Sequence, residues 1–174
     1  EYVYGATIFD DVELAYAAMA ESIGEFEKEP EFATFDSKYD RTFLNFRDDN
    51  FYEYSSLSKA LTGRDLFFSS NFTCAACHQL MPSRVKGELF TSFEYHNIGV
   101  PVNTSLRSFN GATALDEGLL NNTAVTAESE KGKFKVPTLR NVAVTAPYMH
   151  NGIFNELETV IRFYQHAKDV SLNT

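Results

Sequence analysis

What this 174-residue sequence lacks already excludes several classes of protein. No run of about 18 apolar residues is present, the length at which a membrane-spanning helix is suspected, so no membrane span is expected. Basic residues are scarce: 15 Lys and Arg stand against 24 Asp and Glu, a formal net charge of -9. This balance excludes nucleic acid as a partner, because binding phosphates requires clusters of Lys and Arg. A partner protein that is attracted electrostatically should instead present a basic face.

The first residues also lack the basic and apolar regions of a signal peptide. Because the chain begins at Glu1 without a methionine, we expect a mature or excised segment. With 44% hydrophobic side chains, its length suits a single domain with irregular trimmings.

Apolar residues at intervals of three and four predict an amphipathic helix over residues 10 to 28, with Asp10 or Asp11 as its N-cap. Its apolar stripe is expected to face the core. A second helix is predicted over residues 56 to 69, capped by Ser55 or Ser56 and with Leu57 on its apolar face. The stripe of the first helix comprises Val12, Tyr16, Met19, Ile23 and Phe26.

The segment "NELETVIRFYQHA" predicts a third helix, with Asn155 as cap and Glu158 completing an approximate capping box. Leu157, Val160, Ile161 and Tyr164 form its apolar stripe.

Long stretches between the helices show no sustained period, and no alternation convincingly predicts a strand. The predicted class is mostly α with long irregular loops. Residues 56–174 would form the main domain. Residues 1–55 would add an N-terminal helix and an irregular wrap that belong to the same domain.

The only two cysteines stand in "NFTCAACHQL", for which four interpretations compete. A zinc knuckle requires four ligands, and no second cysteine pair exists. A thioredoxin-type dithiol should follow a strand, whereas the preceding segment predicts a helix. A disulfide across two residues closes too small a loop to restrain the unfolded chain. The spacing C-x-x-C-H is the attachment signature of c-type haem, with Cys74 and Cys77 as thioethers and His78 as the axial ligand.

Such attachment is made outside the cytoplasm, so we expect a periplasmic or exported protein. Spacing alone does not identify the ligand on the other face of the iron. Met81 is excluded because it follows His78 too closely to reach that face, and Met19 is expected in the core. The open candidates are Met149, Tyr164, His96, His150, His166 and water.

The second half of the chain resembles the C-terminal haem domain of the bacterial di-haem cytochrome c peroxidase and MauG family. The similarity rests on "FKVPTLRNVAVTAPYMHNGIFNELETVIRFY", with "LTGRDLFFSSNFTCAACH", "FEYHNIGVP" and "DEGLL" before it. It runs from about Leu57 to Tyr164, and it implies that the mostly α domain of residues 56–174 is a cytochrome c-like haem domain with long irregular loops.

The resemblance implies that Tyr164 is the second axial ligand, because peroxidases carry methionine at this position and MauG carries tyrosine. It also implies that the backbone carbonyls of Thr145 and Pro147 could help to hold a calcium ion. A phenolate ligand would favour oxidised iron, whereas methionine raises the potential. Such a site is suited to passing or storing oxidising equivalents.

Other residues take supporting roles by the same resemblance. Pro137 and Arg140 would shape the haem pocket, Arg140 or Lys135 could pair with propionates, and His150 would lie near the haem. A solvated charge or ordinary turn structure explains these residues equally well.

The chain departs from the family pattern because it has one C-x-x-C-H motif where the family has two. We therefore expect the electron-transfer domain of a peroxidase-like or MauG-like oxidoreductase, with a second haem-bearing domain or subunit as the peroxide-reactive partner. It would not be catalytic alone. The alternatives are a single-haem electron carrier, and a five-coordinate haem that itself binds peroxide.

Overall fold

The computed structural model describes residues 3–80 and 86–171, with side chains up to His166. Met81 and the ends of the two predicted domain ranges, residues 1–2 and 172–174, lie outside the described residues. The chain divides into two compact units. The first runs from the N-terminus to Glu53 and includes Gly87; the second begins at Tyr54 and holds most of the remaining chain. That residues 1–55 belong to the same domain as the haem site stays a prediction.

The described residues are mostly helical, which confirms the predicted class, and their only paired strands are two residues long. Strands β1 (Tyr95–His96) and β2 (Phe134–Lys135) pair antiparallel. No helix in the described ranges is long and apolar enough to cross a bilayer. The helices are α1 (Val12–Phe26), α2 (Lys38–Arg41), α3 (Lys59–Phe67), α4 (Cys74–Cys77), α5 (Thr104–Asn110) and α6 (Leu157–Ser171).

Helix α1 confirms the first predicted helix but not its environment. Its N-cap is Asp11, whose carboxylate accepts hydrogen bonds from the backbone of Glu13 and Leu14. No residue of α1 is buried, and its apolar stripe is 51% to 79% exposed, from Ile23 to Val12. The expectation that this stripe, including Met19, faces a core was therefore wrong. A periodic apolar pattern shows that a face must be covered but does not say by what.

The first unit is organised around the fully buried carboxylate of Asp40. Ser37 and Asp40 form a capping box at the start of α2. The other oxygen of Asp40 accepts a hydrogen bond of 3.0 Å from the backbone N–H of Gly87. One carboxylate thus joins the start of α2 to a segment 47 residues away in the chain.

The other two predicted helices begin later than expected. Helix α3 starts at Lys59, because the Ser58 hydroxyl accepts from the backbone of Leu61 and caps the helix in place of Ser55 or Ser56. Leu57 therefore precedes the helix and is 94% exposed. Helix α6 starts at Leu157, and the Glu156 carbonyl accepts its first backbone bonds.

The predicted cap of α6 was therefore one residue early, because Glu156 takes the place given to Asn155. Glu158 does not complete a capping box in this arrangement. Its carboxylate pairs with the Arg162 guanidinium one turn on, at 2.6 Å.

In the second unit, residues 116–119 cross residues 130–133 closely. Gly118 forms an isolated bridge with Lys133, and Leu119 donates a backbone bond of 2.9 Å to the Lys133 carbonyl. Gly118 has φ 59° and ψ -127°, a conformation open almost only to glycine. A Cβ at Gly118 would overlap the Lys133 carbonyl oxygen. Glycine is required here for both reasons.

We predict that Gly118→Ala lowers the free energy of unfolding by about 1–3 kcal/mol, because a strained backbone position costs about that much. Gly63→Ala is the matched control, since Gly63 lies inside α3 and a Cβ there meets nothing within 4 Å. That control should gain about 0.5–1 kcal/mol from better helix propensity. Urea denaturation of both variants measures the difference, and equal stabilities would contradict the prediction.

Candidate functional site

The motif "CAACH" forms a single helical turn, α4, that is entered through the left-handed residue Thr73 at φ 55°. The backbone N–H of His78 donates to the Cys74 carbonyl at 2.9 Å, and Ser92 donates to the Cys77 carbonyl at 2.9 Å. Both cysteines are free thiols and half-buried. One turn of helix therefore presents the two thiols and places an imidazole directly after them.

The imidazole of His78 is held by one backbone carbonyl. Its Nδ1 lies 2.9 Å from the carbonyl oxygen of Phe90. A carbonyl oxygen only accepts, so Nδ1 must carry the proton and donate it. The lone pair of neutral His78 then lies on Nε2, the nitrogen that can bind a metal. This arrangement prepares His78 to act as an axial ligand.

Two other interpretations of the cysteines do not fit this environment. Burial raises the pKa of the Cys74 thiol above its ordinary value. Burial also raises the pKa of Cys77, and the nearby charge of Glu94 adds to the rise. A redox dithiol needs the opposite shift, towards thiolate. Within the described residues, no group of three or more His, Cys, Asp and Glu side chains could hold a metal ion such as zinc.

Tyr164 is the predicted second ligand, and it lies close to the motif. Partial burial raises the pKa of its hydroxyl, and the charges of Cys77 and then Cys74 raise it further. Two thiols can affect a phenol in this way only if the three groups share one region. Helix α6 thus brings Tyr164 to the two residues that would carry the haem edge. Burial and these charges favour the neutral phenol, whereas a bound ferric iron would favour the phenolate.

The three histidines that were candidate ligands make other contacts or are exposed. The ring of His150 stacks flat on Phe134, with centroids 3.5 Å apart and planes 9° apart. Burial lowers the pKa of His150, while Asp116 opposes this shift. The Nε2 of His96 lies 3.5 Å from a Glu94 carboxylate oxygen. His166 is exposed on α6.

The loop "PYMHNG" is fastened at both ends, which sequence patterns did not indicate. The backbones of Tyr148 and Phe154 bond each other in both directions, and the Tyr148 hydroxyl donates to the Val142 carbonyl at 2.8 Å. The Asn151 side chain donates to the Pro101 carbonyl at 2.8 Å, while the Asn103 side chain donates to the Asn151 carbonyl at 3.0 Å. The loop between β2 and α6 is therefore tied to the residues that precede α5.

The cationic candidates make contacts with aromatic rings. The Arg140 guanidinium carbon lies 5.4 Å from the centre of the Phe90 ring, and its Nε donates to the Glu88 carbonyl at 2.5 Å. The Lys135 ammonium lies 4.8 Å from the centre of the Phe93 ring. Pro137 is exposed within the same segment. Arg140 thus contacts the residue whose carbonyl holds His78, a role that sequence reasoning missed.

The proposed calcium ligands occupy an exposed turn after residues 142–144. Thr145 and Pro147 are both exposed, and the peptide bond between Ala146 and Pro147 is cis. Among the described residues, no hydrogen bond uses the carbonyl oxygen of Thr145 or of Pro147. Both oxygens therefore have lone pairs that a hard cation could use.

The donor set fits a covalently bound haem. It offers two protonated thiols on one helical turn, a histidine whose tautomer leaves the lone pair on Nε2, and a phenol near the thiols. Two thioethers and an axial histidine are the protein groups that a c-type haem requires.

Comparison with known proteins agrees with this chemistry. The chain is 42% identical over 167 residues to the methylamine utilization protein MauG of Paracoccus denitrificans, covering 94% of this chain and 41% of that protein. It is also 31% identical over 155 residues to the cytochrome c peroxidase of Escherichia coli, covering 87% of this chain and 29% of that protein. The chain belongs to the MauG and di-haem cytochrome c peroxidase family.

A solved structure supports the fold of this family member. The diheme peroxidase BthA from Burkholderia thailandensis superposes with a TM-score of 0.75 at 27% identity, over 92% of this chain and 39% of that one. No protein-family model matches the sequence. The chain spans about two fifths of the length of MauG and of the BthA chain.

We predict that Cys74 and Cys77 in haem-free chain react with iodoacetamide at pH 8 more slowly than free cysteine does. The reason is that both thiol pKa values are raised, so less thiolate is present at that pH. The alkylation rate should rise as the pH increases through the raised values. Mass spectrometry of timed samples measures it, with urea-unfolded chain as control. Faster reaction than free cysteine at pH 8 would instead indicate a redox dithiol.

Proposed function

We propose that this chain is the electron-transfer haem domain of a di-haem oxidoreductase related to MauG and the cytochrome c peroxidases. Cys74 and Cys77 hold one c-type haem through thioethers, and His78 and Tyr164 bind the two faces of its iron. The observation that carries the proposal is the helical turn of Cys74 and Cys77 beside His78, whose Nδ1 is held by the Phe90 carbonyl so that Nε2 can bind iron. The effect of both thiols on the Tyr164 hydroxyl supports Tyr164 as the ligand on the other face. The haem supplies a one-electron Fe(III)/Fe(II) couple.

The residues that bind the two faces of the iron determine which redox role the Fe(III)/Fe(II) couple performs. The Phe90 carbonyl accepts a hydrogen bond from the Nδ1–H of His78, and this makes His78 a stronger ligand for iron. Tyr164 as phenolate is a hard anionic donor that favours oxidised iron. With both faces bound, peroxide has no open coordination position in this domain. The domain therefore passes or stores oxidising equivalents and does not itself react with peroxide.

Peroxide chemistry then belongs to a second haem-bearing domain, on the same polypeptide or another one. Two observations support such a partner. The chain matches only 41% of MauG and carries a single C-x-x-C-H motif. In addition, the apolar stripe of α1 is at least 51% exposed. We assign this stripe to the contact with the partner domain.

The charges around the stripe specify the kind of surface that covers it. Acidic residues are frequent in and around α1, and Lys28 is the one basic residue from position 10 to 28. Interfaces commonly have an apolar centre, a polar rim and complementary charges, so the partner should have an apolar centre and a basic rim. The acidic residues are Asp10, Asp11, Glu13, Glu21, Glu25 and Glu27.

Two further parts of the proposal follow from the family. The protein acts in the periplasm or outside the cell, where c-type haem is attached. A calcium ion bound by the Thr145 and Pro147 carbonyls would stiffen the exposed turn that precedes the "PYMHNG" loop. The alternative function is a single-haem electron carrier, which uses the same four haem-binding residues but needs no partner haem.

We predict that Tyr164→Phe converts a six-coordinate low-spin ferric haem to a high-spin form that binds cyanide readily, because one axial ligand is lost. Tyr164→Met should keep six coordination and raise the midpoint potential. Tyr4→Phe, which removes a hydroxyl that bonds Ser22 in the first unit, is the matched control and should leave the spectrum unchanged. Absorption and EPR spectra of the ferric proteins measure this. Wild-type spectra for Tyr164→Phe would remove tyrosine from the iron.

We predict that the native complex contains two haems, one on this chain and one on its partner domain. Ile23→Glu should weaken their association, because it places a charge within the apolar stripe. Leu57→Glu is the matched control, since Leu57 is 94% exposed and lies outside the stripe. Native mass spectrometry with haem quantification measures both effects. One haem in an assembly of this chain alone would favour the electron carrier.

A further inference from the structure

Three successive carbonyls, of residues 88 to 90, form the support of the His78 imidazole. The Glu88 carbonyl accepts from Arg140 Nε at 2.5 Å. The Leu89 carbonyl accepts from the Thr138 hydroxyl at 2.7 Å and from the backbone of Leu139 at 3.4 Å. The Phe90 carbonyl accepts from His78 Nδ1 at 2.9 Å. Two of the three carbonyls are thus held by residues 138–140, and the third directs the ligand.

The backbone at the third carbonyl needs this support. Phe90 has φ 55°, in the left-handed region that a bulky side chain adopts rarely. This turn directs the Phe90 carbonyl towards His78. The Phe90 ring contacts the Phe67 ring, with centroids 6.4 Å apart, and lies 5.4 Å from the Arg140 guanidinium carbon. A disfavoured conformation persists only where its surroundings hold it.

A second set of bonds fixes the following residues against the same segment. The buried Thr91 hydroxyl donates to the Val136 carbonyl at 2.7 Å, and the Val136 backbone donates to the Glu94 carbonyl at 2.8 Å. Val136 is the buried hydrophobic residue here, 6% exposed. Residues 136–140 therefore lie along residues 88–94, and hydrogen bonds join the two segments along their length.

We propose that Thr138 and Arg140 are positioning residues that set the reduction potential of the haem through the Phe90 carbonyl and His78. This inference rests on the proposed function, because it needs iron bound by His78. The role differs from the propionate pairing expected for Arg140 from sequence. Thr138 was not singled out by any sequence pattern.

The direction of the effect follows from the hydrogen bond at Nδ1. When the Phe90 carbonyl accepts a strong hydrogen bond from Nδ1–H, electron density moves onto the imidazole. Nε2 then becomes a stronger electron-pair donor to the iron. A stronger donor stabilises oxidised iron and lowers the potential. Loss of the Thr138 hydroxyl removes its bond to the Leu89 carbonyl and its acceptance from the Arg140 backbone N–H. The Phe90 turn is then less constrained, and the potential should rise.

The test uses holoprotein with its haem and four variants. Thr138→Val removes the hydroxyl at nearly constant volume, and Thr138→Ser restores it. Arg140→Lys keeps the cation but loses the planar group that donates from Nε. Thr42→Val is the matched control, because the Thr42 hydroxyl also donates to a carbonyl at 2.7 Å, that of Tyr39 in the first unit. The readouts are the midpoint potential, the low-spin EPR spectrum and the haem content.

We expect Thr138→Val and Arg140→Lys to shift the balance between reduced and oxidised haem about tenfold towards reduced, a rise of about 59 mV for one electron. Their EPR spectra should change as well, while Thr138→Ser and Thr42→Val should match the wild type. If Thr138→Val accumulates without haem, Arg140→Lys decides the question. Wild-type potentials and spectra in haem-loaded Thr138→Val and Arg140→Lys would overturn the inference and leave the proposed function intact. Wild-type chain without covalent haem would overturn both.

Discussion

The hydrogen bond from His78 Nδ1 to the Phe90 carbonyl is the interaction on which the candidate site depends. It selects the tautomer of the ring and thereby makes Nε2 the nitrogen that can bind iron. The two thiols of α4 determine where a haem edge would lie, but they do not orient the imidazole. That orientation comes from a left-handed residue twelve positions further on, and from the residues that hold it.

The other face of the site depends on α6, which carries Tyr164 towards the thiols. Methionine and tyrosine at this position would give the same fold and opposite redox behaviour, because one is a soft neutral donor and the other a hard anion. The side chain at position 164 would therefore decide which of two redox roles the same fold performs.

The sequence identified the candidate residues of the site but not the hydrogen bonds that support them. The spacing of Cys74, Cys77 and His78 is local, so one helical turn brings them together and a motif suffices. Tyr164 required a family resemblance, because no local pattern distinguishes a ligand from an apolar contact. Thr138 could not be found from sequence, since its partner is a backbone carbonyl 49 residues away. Every residue has such a carbonyl, so the residue type does not reveal which one is used. The same limit explains the error at α1: periodicity identified its stripe and said nothing about the surface that covers it.

The pairing of residues 88–94 with 136–140 also bears on how the site is assembled. The thioethers would need only the short helical turn around Cys74 and Cys77. The donor strength inferred for His78 would also need a segment from much later in the chain to be in place. If residues 136–140 were not docked, an attached haem would lack this restraint on its histidine ligand. Covalent attachment and the ligand field of the iron would thus depend on different parts of the chain.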